Sequence, residues 1–307
     1  MSNKFSLSIL TASIVTAILA AFFFSLAATV VPYFYTASKL YFPDDGSLNS
    51  SIGPLFLLLA VRYVSTFTIS SVLNKSPKKA KSKATHTRLI FISIFQALFI
   101  ASYMFSIKLI PLSLAVVVIY TFPIITFFVN SLIKGRSIDF LSVAALLVSL
   151  LGIWVLVQGD TSDWNLWGIF WGMVASLAQV TVNILSRHES VESGWGLVKY
   201  ITVLPSIVFV LVYFIVIANP IASVSSEMLI WSILSAIGMS GGFYFFFRSI
   251  TIIGPVRTSN VMYLEPIFTI ILGVILLQDK LGQSQWIGML IIFIATISLE
   301  RWGKKYN

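Results

Sequence analysis

Ser106–Thr126 reads SIKLIPLSLAVVVIYTFPIIT, and 143 residues later Ser249–Thr269 reads SITIIGPVRTSNVMYLEPIFT. Without a gap, 8 of the 21 positions are identical, among them Ser106/Ser249, Tyr120/Tyr263, Pro123/Pro266 and Thr126/Thr269. Self-similarity at a fixed offset is the signature of a duplicated unit. The surroundings of both stretches are almost wholly apolar. Of 307 residues, 58% are hydrophobic and 10% charged, with mean hydropathy +0.95. Soluble chains carry about 25% charged residues. So few charges cannot cover the surface of a soluble protein of this size, and the chain reads as an all-α integral membrane protein. The 25 Phe, 8 Trp and 11 Tyr suit lipid contact and interfacial belts.

A membrane-spanning helix needs about 20 mostly apolar residues. Ten candidates fit: Leu10–Val31, Gly53–Leu73, Arg88–Lys108, Leu112–Ile133, Ile138–Val157, Leu166–Ser186, Leu197–Ala218, Met228–Ile250, Pro255–Leu277 and Ser284–Leu299. The duplicated stretches cover the third and fourth spans and the eighth and ninth. This predicts ten transmembrane helices in two five-helix halves, 1–158 and 159–307. Five is odd, so the second half enters from the opposite side and the repeat is inverted. Inverted pairs recur in secondary transporters. The connections are too short for an attached ATPase or soluble domain, and the first span is too long for a signal peptide.

With both termini in the cytoplasm, 16 Lys and Arg fall inside, 3 fall outside, and Arg62 lies within a span. That is a strong positive-inside pattern. The lysine-rich run from Lys75 to Arg88 is read as a topology determinant touching anionic lipid, with no nucleic-acid role. The chain has no cysteine, and its two histidines, His86 and His188, lie in polar connections. There is no phosphate-binding glycine loop, serine nucleophile motif or helical His pair. No metal or cofactor is expected, and the chain is read as not an enzyme. Any solute movement would draw on a gradient.

The repeated Tyr-x-x-Pro places Pro123 and Pro266 well inside spans. Proline lacks an N–H and clashes with the carbonyl four residues back, here Ile119 and Met262. Broken backbone at membrane depth is tolerated against protein or a wet cavity. The two prolines are thus candidate hinges beside a central cavity. Glu265 is the carboxylic acid clearly inside a span, and such acids are rare and costly. Low dielectric disfavours an ionised carboxylate, so this group is a candidate proton carrier or amine ligand; it could equally be structural. Arg62 is a candidate for a substrate carboxylate or for pairing with Glu265. Gln96 and Tyr103 share one helical face, as do Gln179 and Asn183. These, with Tyr120, are candidate substrate-lining residues; interhelical hydrogen bonding is the other use such stripes have.

The residues Ala60-Val-Arg62, the stretch Ser106–Pro123, Tyr263-Leu-Glu-Pro266, Gly273 and Leu276-Leu-Gln-Asp279 resemble the drug/metabolite transporter superfamily, in its ten-helix EamA-like branch. The resemblance covers nearly the whole chain. It implies a basket of ten helices around a cavity lined by the third, fourth, eighth and ninth, plus the first and sixth. It also implies movement of amino acids, nucleobases, vitamins, other metabolites or drugs, often outward. The family's acid after the fourth helix of each half is met by Asp279, whereas the first half has Lys134-Gly-Arg136. The expected function is a secondary exporter of small metabolites, amino acids foremost, working by alternating access. Other solute classes, such as a nucleotide precursor, vitamin or cationic drug, are alternatives, as is a non-transporting membrane subunit. The expected setting is a cell membrane of the bacterial inner-membrane kind. The expected partners are a small-molecule substrate, lipid and protons, in a monomer or homodimer.

Overall fold

In lipid every backbone N–H and C=O must be satisfied within the chain, which leaves helices as the solution for long apolar runs. The computed structural model describes residues 2–42, 48–74, 83–135, 138, 140–157, 165–187, 194–217, 224–278 and 282–302, and its regular elements among these are all helical. The lysines between 75 and 82, Arg136, the junction at 158–159, His188 and Asp279 lie outside the described residues.

The elements are α1 (Ser2–Thr29), α2 (Val31–Ser38), α3 (Leu48–Leu73), α4 (Lys83–Leu109), α5 (Leu112–Ile119), α6 (Phe122–Ile133), α7 (Phe140–Val157), α8 (Leu166–Ser186), α9 (Trp195–Val216), α10 (Ser226–Val261), α11 (Glu265–Leu272) and α12 (Gln283–Trp302). A 3₁₀ turn, Met262–Leu264, joins α10 to α11, and a π-helical turn, Gly273–Leu277, follows α11. Among the described helix starts, Asn165 Oδ1 caps α8 by accepting from Trp167 N at 2.9 Å and Ser225 Oγ caps α10 by accepting from Met228 N at 3.1 Å.

Among the described residues, eight stretches are long and apolar enough to cross a bilayer. One of them, Ser226–Leu277, has 52 residues. Straight, it would be about 78 Å long against about 30 Å of hydrocarbon. It is not straight: Gly254 has φ 85° and ψ 165°, a conformation open to glycine and closed to other L-residues. The sequence reading put a gap between Ile250 and Pro255; the chain instead turns on this one glycine with helix on both sides. Gln283–Leu299 is a shorter apolar helix.

Two other boundaries differ from the sequence reading. Helix continues past Val31 to Ser38, because Pro32 sits in the first turn of α2, where its missing N–H costs nothing. The span Leu112–Ile133 is two helices, broken at Tyr120–Thr121.

Packing follows small residues. α1 lies on α10, α3 on α9, α4 on α8 and α7 on α12. A Cβ at Gly238 would meet Ala27 N at 2.8 Å and Phe23 O at 2.9 Å, so α10 and α1 touch backbone to backbone. A Cβ at Gly288 would meet Leu156 N at 2.5 Å. Backbone cannot rotate away as a side chain can. Gly288→Ala is therefore expected to force α12 off α7 and cost about 1–3 kcal/mol. Thermal unfolding in detergent checks this against Gly282→Ala, where the nearest atoms stand 3.9 Å from the new methyl and little change is expected.

Candidate functional site

The site grows from the two proline-bearing stretches. Pro266 offers no N–H to Met262 O, and Glu265 N takes that carbonyl instead, three residues on. The result is the 3₁₀ turn at Met262–Leu264, with Glu265 opening the next helix. In the other stretch Tyr120 N bonds Val116 O at 2.9 Å and Thr121 N bonds Val118 O at 3.2 Å, so α5 tightens and stops before Phe122-Pro123. The two irregular turns face each other. Tyr263 Oη donates to Tyr120 O at 3.2 Å, and the rings stack with centroids 6.2 Å apart at 27°.

Glu265 is half-buried, while Pro266, Tyr263 and Met262 around it are buried. The Tyr120 phenol stands beside its carboxyl group, close enough for the two to influence each other. Its backbone carbonyl accepts from Ser25 Oγ on α1 at 2.9 Å and from Thr269 Oγ1 at 3.0 Å. The Arg62 guanidinium is close enough for its charge to act on Glu265, Tyr63, Tyr103 and Tyr35. Arg62 Nε is buried with no hydrogen-bond partner. Tyr103 is half-buried and stacks on Phe99 at 6.3 Å. Gln96 lies beside Tyr63; both are wholly buried, and neither the Gln96 amide atoms nor Tyr63 Oη has a partner in bonding geometry. Buried polar atoms left without a partner are rare and costly.

Of the residues expected from sequence, Arg62, Tyr103, Tyr120 and Glu265 thus form one electrostatic group. Gln96 stands next to it through Tyr63. Gln179 and Asn183 do something else: Gln179 Nε2 donates to Asn183 Oδ1 at 2.9 Å, and Asn183 Nδ2 to Ser259 Oγ at 3.0 Å. They tie α8 to α10. Pro123 and Pro266 are both buried beside the turns they create.

Several members were not singled out in the sequence. Tyr63 and Tyr263 look like ordinary membrane aromatics until a partner is visible, although the repeat itself pairs Tyr263 with Tyr120. Ser25 carries no signal in an apolar helix. Arg257, counted among the cytoplasmic cations, is only 3% exposed, three residues past the Gly254 bend.

The model of the EamA-like transporter family matches residues 166–300. A solved crystal structure of a protein is similar over 96% of this chain and 98% of its own, with a TM-score of 0.71 and 15% identity. At that identity the likeness concerns the fold alone. No curated protein matches the chain. Members of the matched family are multi-pass membrane transporters, not enzymes. Residues 166–300 are thus similar to the EamA-like transporter family, a match that supports membership of the drug/metabolite transporter superfamily.

Proposed function

We propose that the protein is a secondary transporter of amino acids, working outward by alternating access around Glu265 and Arg62. The observation that carries this reading is a half-buried carboxyl group and a guanidinium acting on each other at membrane depth, beside two broken helices. A zwitterion fits that pair: its ammonium answers Glu265 and its carboxylate answers Arg62, whose planar fork suits carboxylates. Tyr103, Tyr120 and the unpartnered Gln96 amide supply neutral donors and acceptors around the charges. Pro123 and Pro266 are the hinges, and Glu265 is also the proton carrier.

The reading includes ten crossings in two oppositely directed halves, 1–158 and 159–307, with both termini cytoplasmic. Gly254 supports counting Ser226–Leu277 as two crossings. The helix pairing supports the halves: exchanging each crossing with the one five places on turns α1·α10 into α8·α4 and leaves α3·α9 and α7·α12 unchanged.

Purified protein in liposomes tests the substrate class. Zwitterionic amino acids are expected to move, while their methyl esters and decarboxylated amines move at least tenfold more slowly. Movement of amines or nucleosides with amino acids excluded would sink the assignment and favour another solute class.

A further inference from the structure

We propose that Tyr120 and Tyr263 are reciprocal positioning residues, the direction of one hydrogen bond between them differing between the two facing states of the transporter. This rests on the reading of two exchangeable halves given above.

The two tyrosines occupy equivalent places in the repeat, 143 residues apart. Each lies in the irregular turn ahead of its proline. Equivalent residues in equivalent settings would make equivalent bonds, and here they do not. The Tyr263 hydroxyl donates across to the Tyr120 carbonyl. The Tyr120 hydroxyl stands beside the Glu265 carboxyl group instead of bonding the Tyr263 carbonyl in return. The pseudo-symmetry is therefore broken at the contact between the halves.

If the halves exchange conformations, this asymmetry is reversed. Tyr120 Oη then donates to the Tyr263 carbonyl, and the Tyr263 hydroxyl lets go of Tyr120 O. The exchange has a consequence for the site: a Tyr120 phenol that turns to the Tyr263 carbonyl turns away from Glu265. The carboxyl group loses this neighbour in the same movement that reverses the direction of opening, so its surroundings change with the facing state.

The chain's lack of cysteine makes a direct test available. Met262 and Thr269 lie on the Glu265 face, towards opposite ends of its crossing. Met262→Cys and Thr269→Cys are introduced singly and labelled with a membrane-impermeant thiol reagent in vesicles of both orientations. Phe at 120 or 263 keeps the ring stack and removes the hydroxyl. Tyr263→Phe removes the bond of the present state, and is expected to shift the ratio of the two labelling rates away from its unsubstituted value by about two- to tenfold. Tyr120→Phe is expected to shift it in the opposite direction, and the double variant to return it towards the starting ratio. Shifts in the same direction, or none, overturn the pairing. Should Tyr120→Phe not fold, Tyr263→Phe alone decides, since an unchanged or strengthened starting preference contradicts the inference. The background protein with Tyr120 and Tyr263 intact separates the two readings. Label entering from one side only, at both positions, removes alternating access and the pairing with it. Label entering from both sides, with no opposite shifts, leaves alternating access standing and removes the pairing alone.

Discussion

Glu265→Gln is expected to abolish accumulation of solute driven by a pH gradient while leaving downhill exchange measurable. Glutamine keeps the shape and the hydrogen-bonding reach of the side chain and cannot titrate. If one proton travels with each solute, a gradient of one pH unit can hold a concentration ratio of about 10, equivalent to about 1.4 kcal/mol. In the variant that ratio should fall to about 1, with the time for counterflow exchange changed far less. The measurement is uptake into liposomes with the internal and external pH set independently. Normal accumulation by the variant would make Glu265 a structural acid. Loss of binding as well as accumulation would place the carboxylate in direct contact with solute. The Ser25 and Thr269 bonds go to the Glu265 backbone carbonyl, so the substitution leaves both in place.

Arg62→Met should raise the half-saturating concentration of a zwitterionic solute by about 10–100-fold, the loss of one charge-assisted contact of about 1.5–3 kcal/mol. Methionine fills the stem's volume and removes the fork. Arg62→Lys keeps the charge without the fork and should fall between. The two residues also answer to each other. Removing the cation leaves Glu265 as an uncompensated acid at depth, which is costly. Arg62→Met/Glu265→Gln should therefore be closer in thermal stability to the unsubstituted protein than Arg62→Met alone. Additive losses in the double variant would mean that the two side chains do not share an electrostatic environment, contrary to their influence on one another here.

The crossing helices were legible because lipid makes apolar length almost sufficient as a signal, and the two breaks because proline announces the carbonyl it abandons. Glu265 and Arg62 stood out as charges in apolar text. The grouping of Arg62 with Glu265 did not, since they lie on α3 and at the head of α11 and no spacing rule links them. Gln179 and Asn183 matched the pattern of a lining stripe and form a bridge to Ser259 instead: on a helix surface a polar stripe looks the same whether its partner is a solute or another helix. The loop-free turn between helices at Ile250–Pro255 was hidden for a different reason. A Gly-Pro pair reads as a loop, yet one glycine at positive φ turns the chain without one.

The principal neighbours named above, α1 with α10, α3 with α9, α4 with α8 and α7 with α12, all join a segment made early in synthesis to one made late. While the ribosome is still short of α8, the first seven helices have their main partners missing, and Arg62, Gln96 and Ser102 have only lipid, each other or the insertion machinery to shelter them. Biogenesis therefore has a waiting period built into it, ended when the later helices arrive and intercalate. Residues 1–158 expressed alone should be cleared by membrane quality control, and co-expression with 159–307 should rescue both pieces, because the information each lacks is held by the other.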